Sequence, residues 1–552
     1  MSLTYESLPL IIPVGSVHYD DDYTAIKGKH EEKPPRVISF ISFLAIMYFC
    51  VSGGPYGIEG AVAAGPPVYV LLTFLVLPFF WAYPLGMITA ELANLTMEDG
   101  GASMWAERAF NPYISMFVGF VGWTSTIVDL SLYPLLFVQY LSNCFEGTPY
   151  AGNPWAGNLD NCLHCRWIFA VVVILAVMAI NIWGAEEVGV VSNILAVILL
   201  LPFIILVCMG IGHVEWKTVM DGEGGLKSFK SLDIGLLITT MMWSFSGYDA
   251  SGQLAGEVKN PSRNYPLGII CVLLISIVSY VLPLVVGMSY NQNWSQWVAG
   301  EFSDVALLVG GHWLNVFLSV GGMASSIGLL NANLCTCSRN IFSLSQRGHL
   351  PSFFSKIAPK RGTPWVAIVL NSTVVGLLTI LPFNSILSLD MSLYSIVVLF
   401  ECASYVKLFI WKPELPRPYK AVTTKFGLFL LTGFPVTMAL LLLVTQPWDS
   451  QWKTMVVVGV YAAISVARYI IVRVRASKHH RDHLYMPSDD DDDNNDHHHH
   501  HAHHHHQHHG NMYPPLTNYE HIPTSTTVSV DYDNDHASQT PGNNNNITYL
   551  IN

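Results

Sequence analysis

The sequence predicts an all-α integral membrane protein of twelve transmembrane helices, arranged as a five-plus-five inverted repeat in which helices 1 and 6 are broken. Three observations lead there. Of the 552 residues, 51% are hydrophobic and only 12% are charged, half the charged share of an ordinary soluble domain. Many apolar runs reach the ~20 residues that a bilayer requires of a helix. Two of those runs, five apart in order, are interrupted at matching places by glycines, small polar residues and one carboxylate.

Residues 1–36 are polar, with Asp20-Asp21-Asp22 and Glu31-Glu32 in place of a basic start and a short apolar core, so no cleavable signal is expected. Apolar runs then place spans near 37–65 (broken), 68–92, 114–142, 167–184, 188–211, 232–256 (broken), 267–288, 312–340, 364–382, 385–408, 425–446 and 453–473. Span 1 is nearly all Ile, Phe, Leu, Met and Tyr up to Val51. It then meets Ser52-Gly53-Gly54-Pro55-Tyr56-Gly57-Ile58-Glu59-Gly60. Glycine is a poor helix former and proline lacks a backbone donor, so the helix opens. Lipid cannot satisfy the freed N–H and C=O groups, and the opening must lie inside protein or line a cavity. Span 6 repeats the pattern: Met241-Met242-Trp243 runs into Ser244-Phe245-Ser246-Gly247-Tyr248-Asp249. A five-span repeat length inserts its second copy upside down. Paired interruptions in two halves then point to a carrier with its binding site at the midplane.

With the N-terminus placed in the cytoplasm, 22 of the 27 lysines and arginines fall on inside segments and 5 outside. That bias supports the span count and puts both termini in the cytoplasm. The expected organisation is a tail (1–36), a transporter domain (37–475; first repeat 37–211, second repeat 232–410, last two helices 425–473) and a second tail (476–552). The second tail is low in complexity, with an acidic run at 489–493, histidines over 497–509 and asparagines at 543–546, and reads as disordered. The net charge of −12 sits largely in the tails and does not point to nucleic acid. Six of nine cysteines lie in or near apolar runs. Cys144, Cys162 and Cys165 share one outside loop where a disulfide is allowed. Cys162-Leu-His-Cys165 is half a zinc pattern with no second half, so neither metal nor cofactor is expected.

Several ordered motifs resemble the amino acid–polyamine–organocation superfamily, closest to plant and protozoan polyamine uptake transporters and L-type amino acid transporters. They are Gly53-Gly54-Pro55-Tyr56-Gly57-Ile58-Glu59, Ile88-Thr89-Ala90-Glu91-Leu92 with Glu98-Asp99-Gly100-Gly101, Asp129-Leu130-Ser131-Leu132-Tyr133-Pro134, Leu254-Ala255-Gly256-Glu257-Val258-Lys259-Asn260-Pro261, and Gln346-Arg347-Gly348-His349-Leu350-Pro351. The resemblance spans about residues 35–475 and implies a LeuT-like twelve-helix carrier, with substrate between the opened spans 1 and 6 and spans 3, 8 and 10 along the pathway. Two positions depart from the plant polyamine carriers: Leu85 stands where they tend to carry glutamate, and Phe245-Ser246-Gly247-Tyr248-Asp249 replaces an Asn-aromatic-Trp-Asp segment.

The expected substrate contacts are Ser52, Gly53, Gly54, Tyr56 and Glu59 from span 1, with Trp243, Ser244, Phe245, Gly247, Tyr248 and Asp249 from span 6. Opened backbone suits a carboxylate at its N–H groups and an ammonium at its carbonyls. A carboxylate at membrane depth costs on the order of 3 kcal/mol, which a cationic substrate or a proton relieves. Asp129, Tyr133, Asn331, Asn333, Tyr394 and Glu401 are expected along the pathway or in proton coupling, and Trp123 is one of several aromatic gate or cation–π candidates. The expected function is secondary active transport of polyamines or cationic amino acids, coupled to protons; span 5 carries no lysine, so the proton would ride on Glu59, Asp129, Asp249 or Glu401. The alternatives are a broad neutral L-type permease or exchanger, and a non-transporting sensor. No enzyme motif is present. The expected partners are a small-molecule substrate, H+ and the lipid bilayer, with the plasma membrane favoured; a partner subunit is left open.

Overall fold

A computed structural model describes residues 36–484 apart from 99, 146–147, 160–161, 222–224, 226–231, 299, 360 and 382. Both predicted tails, save Arg36 and residues 476–484, lie outside the described residues. Those described fold as helices, with no strand beyond a bridge between Ile38 and Val258. In chain order the helices are α1 (Phe40–Val51), α2 (Pro67–Val76), α3 (Ala82–Thr96), α4 (Gly101–Ala109), α5 (Pro112–Leu130), α6 (Leu132–Asn143), α7 (Leu163–Trp183), α8 (Ala185–Gly210), α9 (Trp216–Asp221), α10 (Ile234–Ser244), α11 (Pro261–Tyr290), α12 (Glu301–Gly310), α13 (His312–Gln346), α14 (Trp365–Leu378), α15 (Phe383–Trp411), α16 (Lys425–Thr445) and α17 (Trp448–Leu484).

Among the described residues, nine stretches are helical, long and apolar enough to cross a membrane, and the protein is an integral, multi-pass membrane protein. The other three predicted spans hold shorter helices: α1, α10 and the 14-residue α14. The first two are cut short by their glycines. Other helices outrun their predicted ends. α11 begins at Pro261, whose fixed φ and missing N–H suit the first turn, and α13 continues to Gln346 on a run of buried polar residues. Asn111 caps α5, its Oδ1 accepting from the N–H groups of Tyr113 and Ile114.

The core is shared by α1, α13, α8 and the helices around them, and two of its buried carboxylates are paired with arginines. Arg339 on α13 reaches Glu257 through Nε at 2.5 Å and Nη2 at 3.1 Å. Glu91 on α3 accepts from Arg417, Tyr405 and the backbone N–H of Ala421. These ties fasten the segment after the second break and the loop before α16 to the bundle. The bridge at Ile38 adds main-chain bonds, Ile38 N–H to Glu257 O and Lys259 N–H to Ile38 O, both 3.1 Å. It joins the start of α1 to the end of the other broken element. Between α6 and α7, Cys162 is joined by a disulfide to Cys165 in the first turn of α7, and Cys144 is a free thiol.

A third charged knot sits where α4, α5 and the end of α13 meet. Arg347 donates to Glu107 at 2.8 Å and to Ser115 and Ser103, and Arg468 on α17 donates to Gly348 O at 2.6 Å. Burial works to raise the Glu107 carboxyl, but the His349 ring and the Arg347 guanidinium beside it outweigh that and hold it at about 2. Burial lowers His349, and Arg347 and Arg468 push the same way. Both groups therefore bind fewer protons folded than unfolded. Their stabilisation is present above the unfolded values and lost on acidification, for His349 below about 6.5 and for Glu107 between about 4.5 and 2. Thermal melting of the purified protein should show its midpoint falling as pH drops below about 6.5. Glu107→Gln, which takes the counter-charge from a part-buried guanidinium that keeps its bonds to Ser103 and Ser115, should cost about 1–3 kcal/mol at neutral pH and flatten the most acidic part of that decline.

Candidate functional site: an acidic cavity between two helix breaks

The first break starts at Ser52, which is extended (φ −143°) although its N–H still reaches Tyr48 O. Gly54 and Gly57 follow at φ +71° and +88°, the left-handed region that favours glycine. The chain resumes as a 3-10 helix at Glu59–Ala64. The second break starts at Phe245, turns through Gly247 at φ +92° and resumes as a 3-10 helix at Asp249–Leu254.

The two breaks touch. A Cβ on Gly247 would stand 2.1 Å from the carbonyl oxygen of Cys50. The Tyr280 hydroxyl of α11 lies 2.6 Å from Ser52 Oγ and donates to Ser244 O at 2.9 Å, bridging one break to the other. The freed backbone groups are met by side chains, as burial requires. Ser325 of α13 donates to Gly53 O, and Gly247 N–H donates to the Tyr394 hydroxyl at 3.1 Å. Gly247→Ala should therefore abolish transport, since it adds a clash with backbone to about 1–3 kcal/mol of left-handed strain. Uptake and melting temperature measured together check this; a variant with normal values in both would mean the breaks can move apart.

Beside the contact lies a cavity of about 90 Å³, far more than one water needs. Of the predicted contacts, Gly53, Tyr56, Trp243, Ser244, Gly247 and Asp249 line it, as do Asp129, Tyr133, Asn333 and Tyr394. Tyr394 donates to Asp249 Oδ1 at 2.7 Å while accepting from Gly247 N–H, so it fixes the carboxylate relative to the unwound backbone. Asp129 accepts from Tyr133 one turn on and from Trp243 Nε1 at 3.3 Å, which ties α5 to α10. Asn333 joins this set through Tyr133 and the Phe49 carbonyl.

Other predicted residues lie off the lining. Glu59 is fully buried and accepts from Gly57 N–H at 2.7 Å, Gly300 N–H at 3.3 Å and Tyr140 at 3.4 Å. It pins the loop before α12 onto the first break. Ser52 faces Tyr280, and Gly54 packs on Leu199. Phe245 packs on Tyr280 and Phe74, and Tyr248 is wholly buried. Asn331 joins α13 to α7 and α8 by exchanging bonds with Asn181, Val188 and Ser192. Trp123 donates to Asn371. Glu401 is buried behind the cavity, with Thr89 donating to Oε1 at 3.0 Å and Oε2 without a hydrogen-bond partner among the described residues.

The structure adds Asp390 on α15, which sequence reading missed. It is 3% exposed, lines the cavity and accepts from Ser125 Oγ of α5 at 2.7 Å. The signal was available. Asp390 is an acid in an apolar run one helical turn before Tyr394, hence on its face. Three aspartates thus share one cavity whose lining, among the described residues, contains no lysine, arginine or histidine. No cluster of His, Cys, Asp or Glu among the described residues suits a metal ion.

A family model described as amino acid permease matches residues 38–465. A probable polyamine transporter of Arabidopsis thaliana is 29% identical over 80% of this chain and 88% of its own length. A polyamine transporter of Oryza sativa subsp. japonica is 32% identical over 70% of this chain and 69% of its own. A branched-chain amino acid permease of Bacillus subtilis is 24% identical over 76% and 88%. Broken apolar helices around a polar cavity and a family match across nearly all the described residues agree: the chain belongs to the amino acid permease (APC) family and is a membrane transporter, not an enzyme.

Proposed function

We propose that the protein is a proton-coupled secondary carrier of polyamines that works by alternating access. The observation that carries this reading is the uncompensated cavity. Asp129, Asp249 and Asp390 face one space without a basic side chain in its wall. Uncompensated charge at membrane depth is costly, and a substrate bearing several ammonium groups removes that cost. In this reading Asp249, held by Tyr394, takes one ammonium. Asp129, held by Tyr133 and Trp243, takes another, and the Trp243 and Tyr394 rings flank the chain between them. The carbonyls freed at Ser244 and nearby supply further acceptors. The names of the plant relatives support the same substrate class.

The architecture that suits this is twelve spans in two inverted halves of LeuT type, with both termini in the cytoplasm and the plasma membrane as the site. In that orientation the lining continues inward past Gly119 to Gln253 and Asn340. On the outer side Tyr56, Tyr140 and Phe203 stack edge to face and Glu59 holds the Gly300 loop. In this reading the arrangement is inward-facing with a closed outer door. Glu59 then serves the outer door, and Glu401 serves the proton. A second reading, a neutral amino acid permease, draws on Leu85, buried and apolar in α3, and on the bacterial relative. It leaves the three aspartates without a counter-charge.

Uptake of radiolabelled putrescine, spermidine, arginine and leucine into proteoliposomes, with and without an imposed pH gradient, separates these. Saturable polyamine uptake, faster with acid outside and indifferent to excess leucine, is expected. Leucine uptake without polyamine uptake would establish the second reading.

A further inference from the structure

We propose that Asp390 is a specificity-determining residue that makes the cavity a site for triamines in preference to diamines; this rests on the polyamine reading above. Two of the three cavity carboxylates are already engaged by neighbours that tune their position: Tyr394 with Asp249, and Tyr133 and Trp243 with Asp129. Asp390 approaches from α15 and is held by one donor, Ser125 Oγ at 2.7 Å on its Oδ1. A carboxylate has room for about four hydrogen bonds, so Asp390 retains acceptor capacity toward the cavity. The wall also holds two amide oxygens without a donor among the described residues, Gln253 Oε1 and Asn340 Oδ1, the latter on a side chain 5% exposed. Three anionic positions, spare acceptors and no cation in the lining fit an elongated molecule with ammonium groups along its length. The fit is better than to one with charge at a single end.

Charge balance sharpens this. Spermidine carries three ammonium groups and leaves each aspartate paired. Putrescine carries two, so one carboxylate is left over at membrane depth, where its charge is costly. Asp390 then takes a proton from the outer solution and gives it up inside. The groups that face it are Asp129, Asp249, Tyr133 and Ser125, none of them basic. A diamine should therefore travel with one more proton than a triamine.

The test is competitive uptake of spermidine and putrescine into proteoliposomes by the wild type, Asp390→Asn and Asp390→Glu. In Asp390→Asn the preference for spermidine over putrescine should shrink about tenfold, the loss of one charge-assisted bond, and Asp390→Glu should restore it. A preference unchanged in Asp390→Asn, with both substrates weakened alike, would overturn the proposal. If Asp390→Asn transports neither, the wild type decides through internal acidification per substrate taken up. One proton more for putrescine supports the proposal, and equal acidification overturns it. Should the wild type itself take up neither polyamine, the reading of the substrate class is what has failed.

Discussion

Asp249→Asn should lower polyamine uptake by about a hundredfold. The substitution keeps the size of the side chain, and the new amide oxygen can still accept from Tyr394, so the local hydrogen bonds survive. What disappears is the negative charge at the junction between Tyr394 and the unwound backbone of Gly247. An ammonium drawn out of water onto a neutral amide loses a charge-assisted bond and its counter-ion together, about 3 kcal/mol for such a pair. That corresponds to roughly two powers of ten in affinity. Initial rates over a range of spermidine concentrations check this, with Asp249→Glu as the control that keeps the charge. A variant within threefold of wild type would remove Asp249 from the substrate's contacts.

Glu401→Gln should leave transport standing but erase its response to a pH gradient. Glu401 is 1% exposed, is held by Thr89 alone, and keeps one oxygen without a donor among the described residues. Seven residues, two helical turns, separate it from Tyr394 on the same face of α15, so it stands about 10 Å further along the helix, past the residues that line the cavity. Charge at such a place costs several kcal/mol unless a proton or a nearby cation offsets it. Glutamine keeps the bond to Thr89 and cannot exchange the proton. The ratio of spermidine uptake with acid outside to spermidine uptake at equal pH should fall to about one, while counterflow of spermidine without a gradient persists. A variant that keeps its pH response would place the coupling proton elsewhere.

Much of this site is legible in the sequence because its physics is local. Gly53, Gly54, Gly57 and Gly247 announce breaks wherever they occur in an apolar run, and carboxylates such as Asp129 and Asp249 mark the space that the breaks open. What stays hidden depends on direction and on distant chain. Glu59 stands close to the first break in sequence, yet its carboxylate points at Gly57 N–H and at Gly300, 241 residues away. No local pattern shows that loop arriving. Phe245 and Tyr248 sit in the second break, but their rings turn into the core. Asn331 and Asn333 are two residues apart on α13 and so face different neighbours: one the α7 and α8 junction, the other Tyr133. Asp390 was passed over because no glycine or proline flags it. Only its spacing from Tyr394 does.

The motifs within α3, after the second break and after α13 also gain physical roles. Glu91 anchors Arg417, Glu257 anchors Arg339, and Arg347 closes on Glu107. These pairs tie together the ends of helices in the bundle, which explains acids and bases at those places without any part in binding.

The most direct measurement is a cryo-electron-microscopy map of the protein in lipid nanodiscs with spermidine bound. Density for an extended chain between Gly53 and Gly247, with its amines against Asp249, Asp129 and Asp390, is the expected result. Spermidine resting elsewhere, or residues 52–59 and 244–249 running as unbroken helix toward lipid, would contradict it.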